Sequence, residues 1–429
     1  AWEQPAAKST AMAASPRVAV VGGGIAGSLC ALVLRSRGAE PVIFDAGKRS
    51  IGGRFGQLRK KRSRGDEGVQ FICAPADEGS QFAKLLRLLM DNGVVEPWHG
   101  RFGLLGSRGG GFLPKDIISS TVLGGMKQEG DDQAATPAND GDDFCGFIRC
   151  GAKASELLVG VPSMSSVCQE ICSIAKLDVQ RAVRITDAQL APDGYWSLFS
   201  GSDAGERVCS SGYHAVAIAS HDPSLAAKLL QRLSSDTRHG TLTSQQPDDL
   251  ETLCRRFTGL ANDLQLLRDR NISVFSLAAA FPAKTLSSAV PFDAASCPNS
   301  PHFQMIVREG SKPGRKEHAG EELWTAISTA SYARELAQKH KDKDAVADDM
   351  SHQLLRLLSP YLDKDAPWPV PLWTSARHWR TGFSTKTLGL SQDCLSLEPW
   401  RLAICGDFLR SHATPVEAAA LSGMEAGER

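Results

Sequence analysis

Residues Val18 to Leu34 run for 17 positions without a charge, just short of the ~18–20 apolar residues that read as a membrane span. Three consecutive glycines, Gly22 to Gly24, break the run. Ahead of them "RVAVV" is β-branched and apolar, as a buried parallel strand requires. Behind them "AGSLCALVLRSRG" sets Leu29, Leu32 and Val33 at helical spacing and stops at Gly38. "PVIFD" then reads as a second strand closed by a carboxylate. The segment is therefore strand, turn, helix, strand. Gly22, Gly24 and Gly27 satisfy G-x-G-x-x-G, in which the glycines serve a tight turn, close backbone approach to a pyrophosphate and close helix-to-strand packing. The free N–H groups of the helix N-terminus, around Ala26, face the phosphates. Asp45, 18 residues after Gly27, stands where a ribose hydroxyl would be bound. A glycine-rich packing turn is the plain alternative, and the combination of all five features favours a dinucleotide site.

The chain has 429 residues, 42% hydrophobic and 22% charged, enough for a large core and about two or three domains. Its 48 basic and 48 acidic residues balance, so net charge points to neither a nucleic acid nor an acidic partner. Eleven cysteines, an odd number with no C-x-x-C, indicate reduced thiols; the closest pairs, Cys145 with Cys150 and Cys168 with Cys172, read as packing residues. Residues 1–15, the acidic insertion 126–145 and "SSDTRHGTLTSQQPDD" (234–249) read as tails or loops. The Ala-rich start without Met is consistent with a processed organellar protein, in particular a plastid one, and Met12 as a true start is equally open. The basic run "LRKKRSR" (58–64) reads as a loop facing a phosphate-bearing small molecule or solvent; without interleaved aromatics it is a poor nucleic-acid surface.

Two further stretches carry a family resemblance. "SIGGRFG", with Gly52, Gly53 and Arg54, resembles the extended FAD motif of the flavin amine oxidase superfamily, in which a guanidinium clamps the pyrophosphate. "LAICGDFLRSHATPVEAAALSG" resembles its C-terminal motif. That likeness implies a ribityl or phosphate contact at Gly406–Asp407, and a helix from Pro415 that places Val416 and Glu417 beside the flavin ring. Within the superfamily the chain resembles renalase-type proteins through "GGR", "DEGVQF" (66–71), "VGVPSMSSV" (159–167), "REGSKPGR" (308–315), "ARHWR" (376–380) and the closing motif. Ala418 stands where glycine is expected after the glutamate.

The resemblance implies an α/β fold. A Rossmann-type FAD-binding domain would be assembled from discontinuous segments (16–75, 155–235 and 372–429), with a second mixed-sheet α+β substrate domain from 76–154 and 236–371. "RAVRI", around Val183, would be a strand whose backbone approaches the adenine, "HAVAIAS" another strand, and "ADDMSHQLLRLLSPYL" an amphipathic packing helix. The implied activity is oxidation of a dihydropyridine, an isomer of NAD(P)H, with oxygen as acceptor and hydrogen peroxide as product. Gln70, Arg308, His378 and Trp379 are the pocket candidates, Trp379 as an aromatic wall. No cysteine lies between Asp407 and Pro415, so the FAD is expected to be noncovalent. An amine oxidase is the weaker enzymatic reading, since an aromatic cage is hard to build from four tyrosines. A flavin-fold structural or regulatory subunit of a larger assembly is the non-enzymatic one.

Overall fold

A computed structural model describes residues 15–60, 63–106, 111–114, 156–202, 205–238, 247–315, 320–384 and 386–429. The acidic insertion, the N-terminal tail apart from Ser15, and Cys145 and Cys150 lie outside them.

The first sheet has six strands: β1 (Arg17–Val21), β2 (Glu40–Asp45), β10 (Asp178–Arg181), β14 (Ala215–Ile218), β20 (Cys394–Leu397) and β21 (Leu402–Cys405), in the order β10-β2-β1-β14-β21-β20. All neighbours are parallel except β20 with β21. Central β1 is buried on both faces, which is why "VAVV" carries no alternation. Helices α1 (Ile25–Ser36), α2 (Gln81–Asp91), α3 (Met164–Ile174) and α8 (Pro415–Glu428) share one core beneath the sheet. Helices α4 (Ser224–Arg238) and α5 (Pro247–Asp269) share another core with the antiparallel meander β11 (Ile185–Leu190), β12 (Trp196–Ser202) and β13 (Gly205–Tyr213).

The second large sheet is mixed and seven-stranded: β7 (Phe102–Leu105), β8 (Phe112–Pro114), β15 (Ile272–Pro282), β16 (Ala294–Ser296), β17 (Phe303–Arg308), β18 (Glu321–Ser328) and β19 (Trp373–Phe383). The order is β19-β15-β18-β17-β16-β7-β8, and only β16 with β7 is parallel. Helices α6 (Ala330–Lys339) and α7 (Lys343–Leu358) pack their apolar faces on it. A hairpin, β3 (Gln57–Lys60) with β4 (Ser63–Asp66), and a small sheet of β5 (Ile72–Cys73), β6 (Val95–Pro97) and β9 (Leu157–Gly160) complete the architecture.

Several local expectations change. In the basic run, residues 58–60 belong to β3 and 63–64 to β4, paired antiparallel rather than forming a loop, and 61–62 lie outside the described residues. "RAVRI" is not one strand: Arg181 ends β10, Ile185 begins β11, and Ala182 between them has φ +60°. In 234–249 only residues 239–246 lie outside the description; the rest closes α4 and opens α5. β19, from the 372–429 stretch, hydrogen-bonds into the seven-stranded sheet, and α5, from 236–371, packs Phe257 and Leu264 under the six-stranded one. Amphipathic patterns announce that a face will be buried without saying against which sheet.

Candidate functional site

A cavity of about 960 Å³ runs from the first turn of α1 to β19 of the second sheet, at the upper end of the ~300–1,000 Å³ usual for cofactor sites. Its near wall is the glycine turn. Gly22 has φ +114°, and a Cβ there would lie 2.6 Å from the Ala219 carbonyl oxygen; at Gly27 it would lie 1.8 Å from that of Gly22. Gly24 differs: its nearest neighbour would be the Gly52 oxygen, 4.0 Å away. The fold itself forbids side chains at Gly22 and Gly27, whereas at Gly24 the space opens into the cavity. Gly24 is the N-cap of α1 and offers no capping side chain, and the first turn carries no acid, so the helix N-terminus faces the cavity uncompensated. Ala26 also lines the cavity.

Asp45 closes β2 with its Oδ2 accepting from Gly23 N (2.8 Å) and its Oδ1 from Gly47 N (2.7 Å). A carboxylate has about four acceptor positions, so Asp45 braces the turn and keeps capacity for a hydroxyl. Val183 donates its N–H to the Asp45 carbonyl at 3.0 Å and lines the same end.

Arg54, placed after Gly52 and Gly53 (φ +128° and +55°), pairs with Asp407 in two parallel bonds, NH1 to Oδ2 at 2.8 Å and NH2 to Oδ1 at 2.7 Å. Gly406, at φ +156°, supplies the bend that carries Asp407 off β21. Burial alone would raise the Asp407 carboxyl; the Arg54 charge and bonds, with His221 beside it, hold it well below the usual carboxylate range. Helix α8 begins at this end of the cavity, with Thr414 capping Glu417 N at 3.2 Å, and Val416 and Ala419 on the wall. Glu417 is not on the wall; burial, partly offset by His412, raises its carboxyl. The buried Ala418 does not set the approach of α8: a Cβ at Gly423 would lie 2.1 Å from the Ala26 carbonyl oxygen, and one at Gly427 2.7 Å from that of Cys30. These two glycines lie one helical turn apart, and their small-x-x-x-small spacing is the mark of that close approach in the sequence.

At the far end Arg377, Trp379, Thr381 and Phe383 line the cavity. Trp379 Nε1 donates to the Glu67 carbonyl and to Ser276 Oγ, both at 3.1 Å. The Arg377 guanidinium lies 4.0 Å over the indole and donates to Glu67 Oε2 at 2.6 Å. Strand alternation excludes His378 from this wall. His378 points to the opposite face, stacks on Phe275 at 4.2 Å and bonds Ser273 Oγ at 2.7 Å; burial and then the Arg380 and Lys343 charges lower its pKa. Arg308 is also absent from the wall and pairs with Asp293 at 3.4 Å. In the basic run, Lys60 donates to the Thr374 carbonyl at 2.5 Å, and neither residue lines the cavity.

Gln70 reaches the cavity edge but is engaged: its Nε2 donates to the carbonyls of Asp66 (2.8 Å) and Gly68 (2.9 Å), and its Oε1 accepts from Lys312 at 2.9 Å. The "DEGVQF" and "REGSKPGR" stretches meet here in a buried network. Lys312 Nζ lies 3.0 Å from both Asp66 Oδ2 and Glu309 Oε1, and Arg315 pairs with Asp66 and donates to the Gly160 carbonyl at 2.8 Å. Burial acts to raise both carboxyls; the two cations keep Asp66 below its ordinary value, while Glu309, beside Asp66, stays above. Cys168 and Cys172, both on α3, are buried packing thiols; burial raises both, Cys172 to about 11.

Residues 20–88 match the family model of the NAD(P)-binding Rossmann-like domain. No curated protein sequence matches the chain. Among solved structures, a candidate protoporphyrinogen oxidase of Exiguobacterium sp. 255-15 is similar over 97% of this chain and 99% of its own at 12% identity, with a TM-score of 0.61. An oxidoreductase of Methanosarcina mazei is similar over 96% and 100% at 13% identity and TM-score 0.57. The cyclohexylamine oxidase of Brevibacterium oxydans IH-35A is similar over 96% and 98% at 12% identity and TM-score 0.57. Among the described residues no helix is long and apolar enough to cross a membrane. The chain has the mixed α/β, two-domain fold of these oxidases, with a Rossmann-like unit at its N-terminal end.

Proposed function

We propose that the protein is an FAD-dependent oxidoreductase that holds its cofactor noncovalently and oxidises a dihydropyridine of the NAD(P)H-isomer class, with oxygen as the final acceptor. The observation that carries this reading is the single cavity joining a dinucleotide-type cradle to an aromatic wall in the second domain. Gly24 supplies the open approach for a pyrophosphate and the α1 N-terminus its N–H donors, Asp45 accepts from a ribose, and Asp407 and Val416 stand at the ring-proximal end. FAD, when bound, supplies a two-electron hydride acceptor. The chain's own part is to orient and desolvate a substrate against it. Trp379, fixed through its indole N–H, gives a flat face, and Arg377 lying on that face gives a flat, pyrophosphate-bearing substrate a cation at the same end. Among the described residues none of the four tyrosines lines the cavity, which weighs against an aromatic amine cage.

The test is anaerobic titration of the purified yellow protein with dihydronicotinamide isomers. Bleaching of the visible flavin absorbance, followed by peroxide when air is admitted, is the expected result. Rapid bleaching by a monoamine and none by any dihydronicotinamide would reverse the substrate assignment, and a colourless protein that ignores added FAD would remove the flavin reading altogether.

A further inference from the structure

Strand alternation breaks at Gln304, on the wall of the cavity. Along β17, Met305 and Val307 belong to the core shared with α1 and α8, while Ile306 lies in the core on the other face of the sheet. Regular alternation would set Phe303 on the side of Met305 and Gln304 on the side of Ile306. Phe303 instead shares the core of Ile306. The register shows why. Phe303 faces Ser328 of β18 and Met305 faces Ile327, so β17 advances by two residues where β18 advances by one. Gln304 is the extra residue of a β-bulge, which turns it to the side of Met305, and both line the cavity.

The bulge sets an amide into an apolar stripe. On the cavity side of the sheet Met305 stands opposite Ile327, Ile327 opposite Ser276 of β15, and Ser276 opposite Arg377 of β19. Trp379 and Phe383 pack on the cluster that contains Ile327, and all three line the cavity. Gln304 is buried among these strands, where an apolar residue would serve packing at lower cost, because a buried amide has to be matched by hydrogen bonds. Gln70, another amide of the wall, is spent on the Asp66 and Gly68 carbonyls and on Lys312. The Trp379 indole donates to Ser276 Oγ at 3.1 Å and so leans over β15. Two strand spacings, about 10 Å, separate β15 from the Gln304 backbone. Ile327 is the floor of that gap, which takes one six-membered ring with the Gln304 amide at its rim.

We infer that Gln304 is a specificity-determining residue that binds the ring carboxamide of the dihydropyridine substrate. The inference rests on the proposed function above and narrows its substrates to pyridine carboxamides. A primary amide has about four hydrogen-bond positions, half donors and half acceptors. Two primary amides pair through one N–H and one carbonyl of each, so Gln304 meets the substrate with half of its capacity and keeps the rest for the protein. An ester has no N–H to give, and a carboxylate brings a charge against the apolar floor. A ring held by such a pair cannot turn in its own plane, which fixes the ring carbon it presents to the cofactor.

The experiment compares a dihydronicotinamide isomer with its methyl ester analogue as reductants of the flavin-loaded full chain. Each second-order rate constant of anaerobic bleaching is divided by that for free riboflavin, which removes the difference in intrinsic reactivity. Wild type should favour the carboxamide about 10- to 100-fold, the worth of a pair of hydrogen bonds. Gln304→Met, of similar size, should bring the ratio to about one by slowing the carboxamide alone, with FAD affinity unchanged. A wild-type ratio near one, or a ratio that survives in Gln304→Met, would overturn the role of Gln304 while leaving the dihydropyridine reading intact. Weakened FAD binding by Gln304→Met with the ratio kept would do so too, by assigning the amide to the cofactor. No bleaching by any dihydropyridine in a wild type that holds FAD would overturn both. Should Gln304→Met not fold, as judged by its circular dichroism melt, Gln304→Asn, which withdraws the same amide by one methylene, should lose the ratio; a ratio it keeps would overturn the role.

Discussion

Gly24 and Gly27 offer a separation of what the fold demands from what a ligand demands. At Gly24 the backbone is at φ −77° and ψ −174°, open to any residue, and an added Cβ meets nothing closer than 4.0 Å. Gly24→Ala therefore costs the folded protein only the difference between glycine and alanine at an N-cap, under about 1 kcal/mol. The methyl group instead occupies the space through which a pyrophosphate would approach the first N–H groups of α1. Loss of one charge-assisted hydrogen bond there is worth about 1.5–3 kcal/mol, or roughly a 10- to 150-fold weaker dissociation constant. Gly27→Ala drives its Cβ to 1.8 Å from the Gly22 oxygen, so α1 must move off the turn. The cost is at the upper end of overpacking, about 3 kcal/mol or more. The assay pairs urea denaturation of the flavin-free protein with FAD titration. Gly24→Ala should melt like wild type and bind poorly, and Gly27→Ala should be unstable with or without FAD. The reasoning is refuted if Gly24→Ala retains wild-type affinity, or if it is as unstable as Gly27→Ala.

Lys312→Met should destabilise the protein by about 3–5 kcal/mol, because it leaves Asp66 and Glu309 fully buried with Arg315 as their remaining cation; a loss below 1 kcal/mol in chemical denaturation at neutral pH would show that the network is not a stabilising unit. Asp349 joins α6 to α7 through Tyr332, Lys339 and His340. Burial works against its charge, yet these bonds lower its pKa from 3.8 to about 2, so the stabilisation is present above the ordinary value and is lost as pH falls toward about 2. Asp349→Asn should flatten the dependence of melting temperature on pH across that window, and an unchanged acid slope would contradict the assignment.

The parts of the fold legible in the sequence were those whose cause is local. "RVAVV", the glycine turn and "PVIFD" appear as β1, the α1 N-terminus and β2 because strand burial, φ > 0 and close backbone approach leave marks within a few residues. Gly406 and the helix from Pro415 were legible for the same reason. The candidate pocket residues were less so. In "ARHWR", His378 and Trp379 are adjacent candidates, yet neighbours on a strand face opposite ways, and the strand itself is not visible without its partner β15. Arg377, one step the other way, is the neighbour that shares the Trp379 wall. Arg308 is held away from the wall by Asp293, 15 positions upstream on the adjoining segment. The Arg54–Asp407 pair joins residues 353 apart, a separation at which nothing in a single sequence records who meets whom.

The contact of Gly423 with Ala26 also has a meaning in time. Helix α1 and the surface that covers it are about 400 residues apart in the chain. At ~5–20 residues per second of synthesis, roughly 20–80 s separate their appearance at the ribosome. Throughout that interval the nascent strand–helix–strand unit has a glycine-and-alanine groove with no lid, and the sheet lacks β20 and β21 on one side. The N-terminal unit must therefore wait in a partly finished state while the whole second sheet is made, and its core is completed late, when α8 closes over α1.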